Sequence, residues 1–462
     1  MGDKLRYHFS GVAGAGMNPL ARLMRARGHR VQGSDRALDR GAVPETEAVL
    51  RGDGIALVPH DGSAIGPEID RFVFSTAVEA ETPEVAAARA LGIPMLARPA
   101  LLAEVVDAGR PGVAISGTCG KSTVTGMVGW LVEQGGLPAT VVGGAPRVGD
   151  GLAGGFLAGP ESGPTIAEAC ESDGTLTGYH PAIGLVHNVS RDHAELPSLR
   201  EQFGQFARQC RRLLVNTSCP EAARLGREAG ARSYGVAADA DVRLHVITSG
   251  PDRARGILDA PSGPLELDVP MPGLHNLENA AAAAIVALEL GVPRDVIAQA
   301  LPRFPGVARR FEVIGVTAAG IRVVDDYAHN GEKIRAAVTT AQQGSERLVA
   351  VFQPHGFGPA RFMRAELAEM LPRLLRPRDR FCYAEIFYAG GTVARDVSSA
   401  VLAADLPPAL ACAVAPDHDA VVDWVAREAR PGDTVLLMGA RDPKLPATAR
   451  RILEALGGPR RA

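Results

Sequence analysis

The chain has 462 residues, 46% of them hydrophobic and 22% charged, with a formal net charge of -3. At roughly 100 to 200 residues per domain this length predicts about three domains, and the small negative charge argues against a nucleic-acid-binding protein. The sequence contains neither a long apolar run nor a signal-peptide region, so we expect a cytoplasmic protein without a membrane partner. The six cysteines form no C-x-x-C pair, which argues against zinc ribbons and disulfide frameworks.

The first segment opens with LRYHFSGVAGAGMNPLARLMRARGHRVQGSD. An apolar strand ends at Gly11, a glycine-rich turn with Gly14 and Gly16 follows, and residues 17–27 have helical spacing before a second strand that ends at Asp35. This pattern predicts a strand, turn, helix and strand unit in which amides at the helix N-terminus face a diphosphate. The glycines alone are equally consistent with a tight structural turn.

Strands and helices continue to alternate up to a Pro and Gly stretch at residues 108–112. Residues 71–78 and 93–97 are predicted to be apolar strands, and residues 83–92 the helix between them. This alternation predicts a parallel sheet covered by helices on both faces. We place the first boundary at the Pro and Gly stretch and predict a first domain over residues 1–109.

The second segment begins with VAISGTCGKSTVTGMVGWLVEQGG, which predicts a buried strand, a glycine loop and a helix that ends at a double glycine. The loop lacks the first glycine of the G-x-x-x-x-G-K-[ST] phosphate loop, since Ile115 stands there. Phosphate binding nevertheless needs only inward-facing amides at a helix N-terminus, a lysine and a hydroxyl for Mg²⁺. The residues that supply these groups are Gly117, Gly120, Lys121, Ser122 and Thr123. Because the chain has only four lysines, Lys121 in this loop favours an ATP site over a structural turn.

Two further strands of this segment carry polar residues at their carboxyl ends. TIAEACESDG contains Glu168, Glu171 and Asp173, and AIGLVHNVSRDH ends at His193. Ligands collect outside the carboxyl ends of strands in open α/β sheets, and Mg²⁺ prefers oxygen ligands with one or two carboxylates. The two strand ends and the glycine loop are therefore predicted to face one crevice that holds ATP and Mg²⁺. A plain surface run of acids is the alternative.

A helix over residues 270–291 begins with two asparagines, Asn276 and Asn279, which either contact a ligand or cap the helix. The stretch RFPGVARRFEVIG marks a second boundary, after which three strands each run into polar residues. These strands are predicted at residues 321–330, 347–356 and 433–443. They indicate a third α/β domain with its own ligand-facing edge. We therefore predict a central domain over residues 110–307 and a C-terminal domain over residues 308–462.

These motifs resemble the Mur ligases, the ATP-dependent amino-acid ligases of peptidoglycan synthesis. The loop GTCGKS is similar to the family's G-T-x-G-K-[ST], which also lacks the early glycine. HFSGVAGAGM, GSD, EACESD, GLHNLENAAAA and DDYAHN match further motifs, so the likeness covers nearly the whole chain and is strongest to the alanine-adding branch and its tripeptide-recycling relative. The resemblance implies an α/β protein of three domains: an N-terminal Rossmann-like domain for a UDP-sugar, a central P-loop ATPase with a mostly parallel sheet, and a C-terminal Rossmann-like domain for the amino acid.

The resemblance also implies a reaction. In this family ATP phosphorylates the carboxylate of a UDP-N-acetylmuramate-type sugar nucleotide, and an amine attacks the acyl phosphate to give an amide, ADP and phosphate. ATP and Mg²⁺ are the implied cofactors, the sugar nucleotide and an amino acid (L-alanine in this branch) are the implied partners, and a monomer or homodimer is expected. The alternatives are the same chemistry on another amine or peptide, and a UDP-sugar sensor without catalysis.

Carried over residue by residue, the resemblance implies three binding sites. The ATP-binding residues are Gly117, Thr118, Gly120, Lys121, Ser122, Thr123, Asn276, Asn279, Arg310 and Asp326. Those with a catalytic role are Lys121, Glu168, His193 and Arg310, and the metal ligands are Ser122, Glu168 and His193. The residues on the UDP-sugar side are Gly11, Gly14, Gly16, Met17, Asp35 and Ser75. Those of the amino-acid pocket are Tyr327, His329, His355 and Arg361.

The chain departs from the family pattern at several positions. Cys119 stands where the alanine-adding enzymes usually have His, a change that a backbone-built phosphate site tolerates. No lysine lies between Lys121 and Lys333, which excludes the carbamylated lysine that some Mur ligases use as a metal ligand. In FQPHGFGPAR, Gly356 and Pro359 replace two arginines of the family's amino-acid pocket. The identity of the amine therefore stays open.

Overall fold

The computed structural model describes residues 4–75, 82–151, 155–171, 174–190, 195–388 and 394–458. The described chain is built from alternating strands and helices that form three sheets. It divides into two compact units: an N-terminal unit with residues up to 248, 254–270 and 274–307, and a C-terminal unit with residues 249–253, 271–273 and 308–462. The N-terminal unit carries two of the sheets, and the C-terminal unit carries the third.

The first sheet carries the glycine-rich turn. Its strands are β1 (Arg6–Ser10), β2 (Arg30–Ser34), β3 (Ala56–Leu57), β4 (Arg71–Phe74) and β5 (Met95–Ala97). The helices between and after them are α1 (Met17–Ala26), α2 (Arg36–Asp39), α3 (Pro44–Gly52), α4 (Pro83–Ala90) and α5 (Arg98–Asp107). Its strand pairs are parallel, in the order β3-β2-β1-β4-β5. The predicted parallel sheet is confirmed, although residues 76–78 of the strand predicted at 71–78 lie outside the described part of the chain.

The second sheet carries the phosphate loop. Its strands are β6 (Gly112–Ser116), β7 (Thr140–Val142), β8 (Phe156–Leu157), β9 (Thr165–Glu168), β10 (Ile183–Val186), β11 (Arg212–Asn216), β12 (Arg232–Gly235), β13 (Val242–Ser249), β14 (Ala254–Ala260) and β15 (Gly263–Val269). The helices are α6 (Lys121–Gln134), α7 (Leu196–Gln209), α8 (Pro220–Ala229), α9 (Leu274–Glu289) and α10 (Arg294–Ala300). The order is β15-β14-β13-β12-β11-β10-β6-β9-β7-β8. The strand pairs from β13 to β7 are parallel, and β14 with β15 and β7 with β8 form antiparallel pairs at the two ends.

The strand order of the second sheet positions the candidate site. Strands β10, β6 and β9 are neighbours, so the chain segments that follow their carboxyl ends meet at one edge of the sheet. Strand β10 (IGLV) is buried along its whole length, as expected for a parallel strand covered on both faces. Helix α6 packs against α9, whose alanines at 280–284 are fully buried and let the two helix backbones approach closely.

The third sheet belongs to the C-terminal unit. Its strands are β16 (Glu312–Val316), β17 (Arg322–Asp326), β18 (Leu348–Gln353), β19 (Arg380–Ala384), β20 (Ala413–Ala415) and β21 (Thr434–Gly439). The helices are α11 (Gly331–Gln343), α12 (Phe357–Leu374), α13 (Ser399–Ala404), α14 (His418–Glu428) and α15 (Leu445–Ala455). The order is β16-β17-β21-β18-β19-β20, parallel except for the edge strand β16. The predicted α/β class is thus confirmed for each of the three sheets. No helix in the described ranges is both long and apolar enough to span a membrane.

Candidate active site

The phosphate loop, residues 117–120, connects the carboxyl end of β6 to the N-terminus of α6. Its two glycines have positive backbone angles, with φ of 142° at Gly117 and 82° at Gly120. A Cβ atom on Gly117 would lie 3.1 Å from the backbone nitrogen of Asn188, and one on Gly120 would lie 2.5 Å from Oδ1 of Asn279. Glycine is therefore required at both positions. The result is a narrow cradle at a helix N-terminus, a shape that fits the phosphate groups of a nucleotide.

Asn188, which the sequence did not single out, holds this loop from the end of β10. Its Oδ1 accepts hydrogen bonds from the backbone amide of Cys119 at 2.7 Å and from Oγ1 of Thr118 at 2.9 Å. Its Nδ2 donates to the carbonyl oxygen of Cys119 at 3.0 Å. One side-chain amide thus bonds both backbone polar groups of Cys119 and fixes the peptide orientation in the middle of the loop.

Lys121 is folded back onto its own loop. Its Nζ donates to Oε2 of Glu171 at 2.8 Å and to the carbonyl oxygen of Gly117 at 2.5 Å. The exposed fractions of the two side chains are 10% for Lys121 and 1% for Glu171. Burial lowers the pKa of Lys121. The negative charge of Glu171, with Cys170 and Glu168, raises the pKa by more than burial lowers it, so the pKa stands above its usual value. Lys121 is therefore charged at neutral pH, with Glu171 as its anionic partner.

Ser122 and Glu168 bring two oxygen ligands together beside the loop. Oγ of Ser122 donates to Oε2 of Glu168 at 2.8 Å, and the amide of Gly144 donates to the same oxygen at 3.1 Å. A hydroxyl and a carboxylate at one strand end suit Mg²⁺. His193, the third predicted ligand, and Asp173 lie outside the described residues. Within the described ranges no group of three His, Cys, Asp or Glu side chains is arranged to hold a metal.

The two asparagines of α9 lie inside the helix, as its third and sixth residues, and not in front of it as a cap would. Both are buried, and Nδ2 of Asn279 donates to Oδ1 of Asn276 at 3.1 Å. A buried histidine, His187, lies beside them and beside Gly120: its Nδ1 is hydrogen-bonded to the hydroxyl of Tyr234 at 2.7 Å. A Cβ atom on Gly120 would lie 3.4 Å from Nε2 of this histidine. The sequence predicted the asparagines but neither His187 nor Tyr234.

Burial, with a further contribution from the neighbouring His275, lowers the pKa of His187 to about 4, while a hydrogen bond with Asn279 opposes the shift. Because an unfolded histidine has a pKa of about 6.5, the unfolded chain takes up this proton first, and the free energy of unfolding falls as the pH drops from about 6.5 to about 4. This group alone accounts for a loss of about 3 kcal/mol at the lower end. We expect His187→Gln to flatten that part of the curve when unfolding is measured against pH.

A control for this prediction is His245→Gln, because His245 is 42% exposed and pairs with Asp259 at the surface. This substitution makes the same exchange at the surface, so it shows what replacing histidine with glutamine does outside the core. Equal slopes for the wild type and His187→Gln would contradict the neutral, buried state of His187.

In the first domain, Asp35 ties the glycine-rich turn to the end of β2. Its Oδ2 accepts from the amide of Ala13 at 3.1 Å, while Oδ1 accepts from the amide of Ala37 at 2.8 Å and caps α2. Gly11 has a φ of 86° and begins the turn. The turn and the GSD motif, which the sequence analysis assigned to one site, are therefore in contact.

The end of the same turn meets the start of α1. A Cβ atom on Gly14 would lie 3.3 Å from the carbonyl oxygen of Gly11, and one on Gly16 would lie 3.2 Å from Cδ of Arg98. Met17, predicted on the UDP-sugar side, has its side chain in the hydrophobic core, where 2% of it is exposed. Only the backbone of Met17 is therefore available to the turn.

Ser75 lies at the end of β4, where its amide donates to the carbonyl oxygen of Ser10 at 3.3 Å. A buried carboxylate that the sequence did not single out, Glu84, lies at the neighbouring strand ends. Its two oxygens accept from the hydroxyls of Ser10 and Ser34 at 2.5 Å each, and Nδ1 of His60 lies 2.9 Å away. Glu84 thus joins the carboxyl ends of β1 and β2 next to the turn.

The C-terminal unit holds Arg310 and Asp326 close together. The guanidinium of Arg310 lies 4.7 Å from the ring centre of Tyr327. Asp326 accepts from the amides of Phe311 and Ala328, both at 2.7 Å. Burial raises the pKa of Asp326, while Arg310 and these amides lower it, and the net direction is upward.

The predicted amino-acid pocket is gathered at the carboxyl ends of β17 and β18. The rings of His329 and His355 meet edge to face at 5.1 Å, and those of Tyr327 and His329 at 5.5 Å. The side chain of Arg361 is half exposed and forms an ion pair with Asp396, which is not one of the predicted pocket residues. The structure therefore brings three of the four predicted pocket residues into one cluster.

A phosphate loop with its lysine, a serine and carboxylate pair, and buried asparagines define a nucleotide-dependent enzyme, in a chain that carries two further α/β sheets. Three family descriptions match in chain order: the Mur ligase family catalytic domain at residues 6–110, the Mur ligase middle domain at 115–287, and the Mur ligase glutamate ligase domain at 309–441. The UDP-N-acetylmuramate–L-alanine ligase of Kineococcus radiotolerans is 37% identical over 460 residues, which is 95% of this chain and 93% of the relative. That of Paenarthrobacter aurescens is 36% identical over 98% of this chain and 97% of the relative.

The chain belongs to the Mur ligase family, as the sequence motifs predicted. It is an ATP-dependent, ADP-forming ligase that makes carbon–nitrogen bonds. The solved UDP-N-acetylmuramate–alanine ligase of Thermotoga maritima shares its fold, with a TM-score of 0.78, 24% identity, and 97% of this chain and 98% of that chain covered. A murein peptide ligase of Psychrobacter arcticus also shares it, with a TM-score of 0.72, 22% identity, and 98% and 99% covered.

Proposed function

We propose that this protein joins the carboxylate of UDP-N-acetylmuramate to the amino group of L-alanine in peptidoglycan precursor synthesis. ATP transfers its terminal phosphoryl group to the carboxylate, with ADP as leaving group. The alanine amine then attacks the acyl phosphate, the amide bond forms, and phosphate and a proton leave. The observation that carries the proposal is the assembly of Lys121, Ser122 and Glu168 at one sheet edge, in a chain with relatives named for this reaction.

The side chains of the central domain have distinct roles in this proposal. Lys121 neutralises the β- and γ-phosphates, and the amides of the phosphate loop bind their oxygens. Ser122 and Glu168, with His193, would hold Mg²⁺, which supplies further neutralisation of phosphate charge when bound. Asn276 and Asn279 would contact the adenine. These side chains neutralise charge and position the reactants, and these two effects account for most of the catalysis of phosphoryl transfer.

The outer domains complete the proposal. Residues 1–109 would bind the UDP-sugar through the glycine-rich turn, Asp35 and Ser75, residues 110–307 would bind ATP, and residues 308–462 would bind the amino acid. Arg310 would reach the ATP phosphates and Asp326 the ribose. A cytoplasmic location belongs to the same proposal, supported by six free cysteine thiols in the described chain.

A different amine is a second candidate, favoured by the start of α12. Gly356 precedes this helix with a φ of 142°, and Pro359 lies in its first turn, at two positions where the family resemblance implies arginines. Arg361, the arginine that remains, is paired with Asp396. A pocket that lacks two cations holds the carboxylate of a small amino acid less firmly, so an amine with other anchoring groups would suit it.

The test is phosphate release from ATP in the presence of UDP-N-acetylmuramate and a panel of amines. Release that depends on L-alanine, with the ligated product identified by mass, is the expected result. Release that ignores alanine but responds to another amino acid or peptide would replace alanine with that amine. Tight binding of the sugar nucleotide without phosphate release from any amine would contradict the ligase proposal and favour a sensor.

A further inference from the structure

The segment before β16 has an unusual backbone. Arg309 and Phe311 have φ angles of 59° and 51°, a left-handed conformation that residues other than glycine rarely adopt. Arg310 lies between them. Such a conformation persists only where the surrounding contacts determine it, and it is frequent at functional positions.

A buried ion pair determines it here. Asp325, in β17, has no solvent-exposed surface, and its two carboxylate oxygens lie 3.1 and 3.4 Å from Nε of Arg309. The same guanidinium donates through Nη2 to the carbonyl oxygen of Gly439 at 2.7 Å, at the end of β21. Arg309 is thereby fixed to two neighbouring strands of the third sheet.

The backbone on both sides of Arg310 is bonded as well. The amide of Arg309 donates to Glu312 at 2.9 Å, and the amide of Phe311 donates to Oδ2 of Asp326 at 2.7 Å. The carbonyl oxygen of Arg309 accepts from the amide of Tyr327 at 2.8 Å. The direction of the Arg310 side chain, which lies over the Tyr327 ring, is therefore set by the backbone of its neighbours.

We propose that Asp325 is a positioning residue for nucleotide binding: its ion pair with Arg309 fixes the left-handed backbone from which Arg310 is presented to the ATP phosphates. This inference rests on the proposed function, because it takes Arg310 as the residue that meets those phosphates. Asp325 itself need not touch a substrate. Asp325 and Asp326 are adjacent aspartates in DDYAHN, and the sequence does not tell which of the two fixes the backbone of Arg309.

The charge of Asp325 gives this role a pH dependence. Burial raises the pKa of Asp325, Glu312 and Asp326 add to the rise, Arg309 opposes it, and the net pKa is about 6. Above that pH the carboxylate is ionised and pairs with Arg309. Below it the carboxyl is protonated and the charge-assisted bonds weaken. The ion pair that fixes residues 309–311 is therefore expected to weaken as the pH falls through about 6, and kcat/KM for ATP is expected to decline with it.

The test compares Asp325→Asn with the wild type in the full-length ligase. We expect kcat/KM for ATP to fall by about tenfold to hundredfold at pH 7.5, with the KM for UDP-N-acetylmuramate unchanged. We also expect the wild-type decline below pH 6 to be absent from the variant, because the amide of the new side chain does not titrate. A loss of stability alone would not move the pH profile.

Asp379→Asn is the matched control. Asp379 is also fully buried, lies in the same unit, and pairs with Arg376 at 3.0 Å, but it precedes β19 at the other end of the strands. It should lower stability and leave kcat/KM for ATP and its pH profile intact. If Asp325→Asn does not fold, the double variant Arg309→Gln/Asp325→Asn removes both charges and carries the same expectation.

The outcomes separate the two proposals. An active wild type together with an Asp325 variant that keeps both the wild-type kcat/KM and the decline below pH 6 would overturn the positioning role. A wild type without ligase activity on any amine would instead overturn the proposed function.

Discussion

A Lys121→Met variant is expected to lose on the order of a thousandfold in kcat/KM for ATP, as enzymes do when a central donor to transition-state charge is removed. Lys121 is the single lysine of the central domain, and its Nζ already lies at the phosphate loop, 2.5 Å from the carbonyl oxygen of Gly117. Methionine keeps most of the side-chain volume but supplies no charge. The measurement is steady-state phosphate release with ATP varied and the sugar nucleotide and amine saturating.

The same substitution is expected to lower the free energy of unfolding. Glu171 is 1% exposed and has Lys121 as its ion-pair partner, and removal of one member of a buried pair typically costs about 3 to 5 kcal/mol. The double variant Lys121→Met/Glu171→Gln leaves no unpaired buried charge, so it should recover much of the stability. It should recover none of the activity, because the lysine is still absent.

Binding of the sugar nucleotide is the control for both variants. The glycine-rich turn and Asp35 belong to the first sheet, and their mutual contacts do not involve the phosphate loop. Calorimetric titration with UDP-N-acetylmuramate should therefore give wild-type affinity. Ligation at the wild-type rate by Lys121→Met would contradict the role assigned to the loop.

Much of the central site could be predicted because each part is local in the sequence. A glycine loop between an apolar strand and a helix places Lys121 and Ser122 at the helix N-terminus, whatever the rest of the fold. Glu168 closes a short apolar strand, and parallel sheets gather such strand ends at one edge. The 2.8 Å contact between Ser122 and Glu168 confirms that the two strand ends meet.

The partners of these residues could not be predicted, because they depend on strand order and side-chain direction. Glu171 and Glu168 are separated by two residues, yet Glu171 binds Lys121 and Glu168 binds Ser122. The alternation of apolar and polar residues along the strand does not tell which of the two glutamates pairs with Lys121 and which with Ser122. Asn188 follows an apolar strand in the same way as many polar residues, and its role appears only when β10 is placed beside β6.

The outer domains show the same division. The glycine-rich turn and Asp35 were predicted as one site and do contact each other through Ala13. Met17 was assigned to that site by its place in the motif, whereas the helical turn directs its side chain into the core. Arg309 lies in a linker and its partner Asp325 lies in a strand. A sequence motif describes neighbouring residues along the chain, so it could not predict that these two form an ion pair.

Asn188→Ala is expected to lower kcat/KM for ATP by roughly a hundredfold. The side chain makes hydrogen bonds to the amide and carbonyl of Cys119 and to the hydroxyl of Thr118. At about 1 kcal/mol each, their loss amounts to about 3 kcal/mol, and each 1.4 kcal/mol is about tenfold in rate. The cost falls on nucleotide binding because a loop with a free peptide must order its amides when the phosphates arrive.

Asn188→Asp sharpens this prediction, since aspartate keeps the oxygen that accepts from Cys119 and Thr118 but loses the donor to the carbonyl of Cys119. It also places a negative charge against the phosphate loop, so we expect it to be no better than alanine. Gln342→Ala is the control: Gln342 also bonds a backbone carbonyl, that of Leu374, but lies in the C-terminal unit at the end of α11. Its loss should change the melting temperature alone. If the KM for ATP is the same in Asn188→Ala and in the control, the prediction is wrong. The loop would then keep its shape without the Asn188 side chain, through its glycines and the helix N-terminus alone.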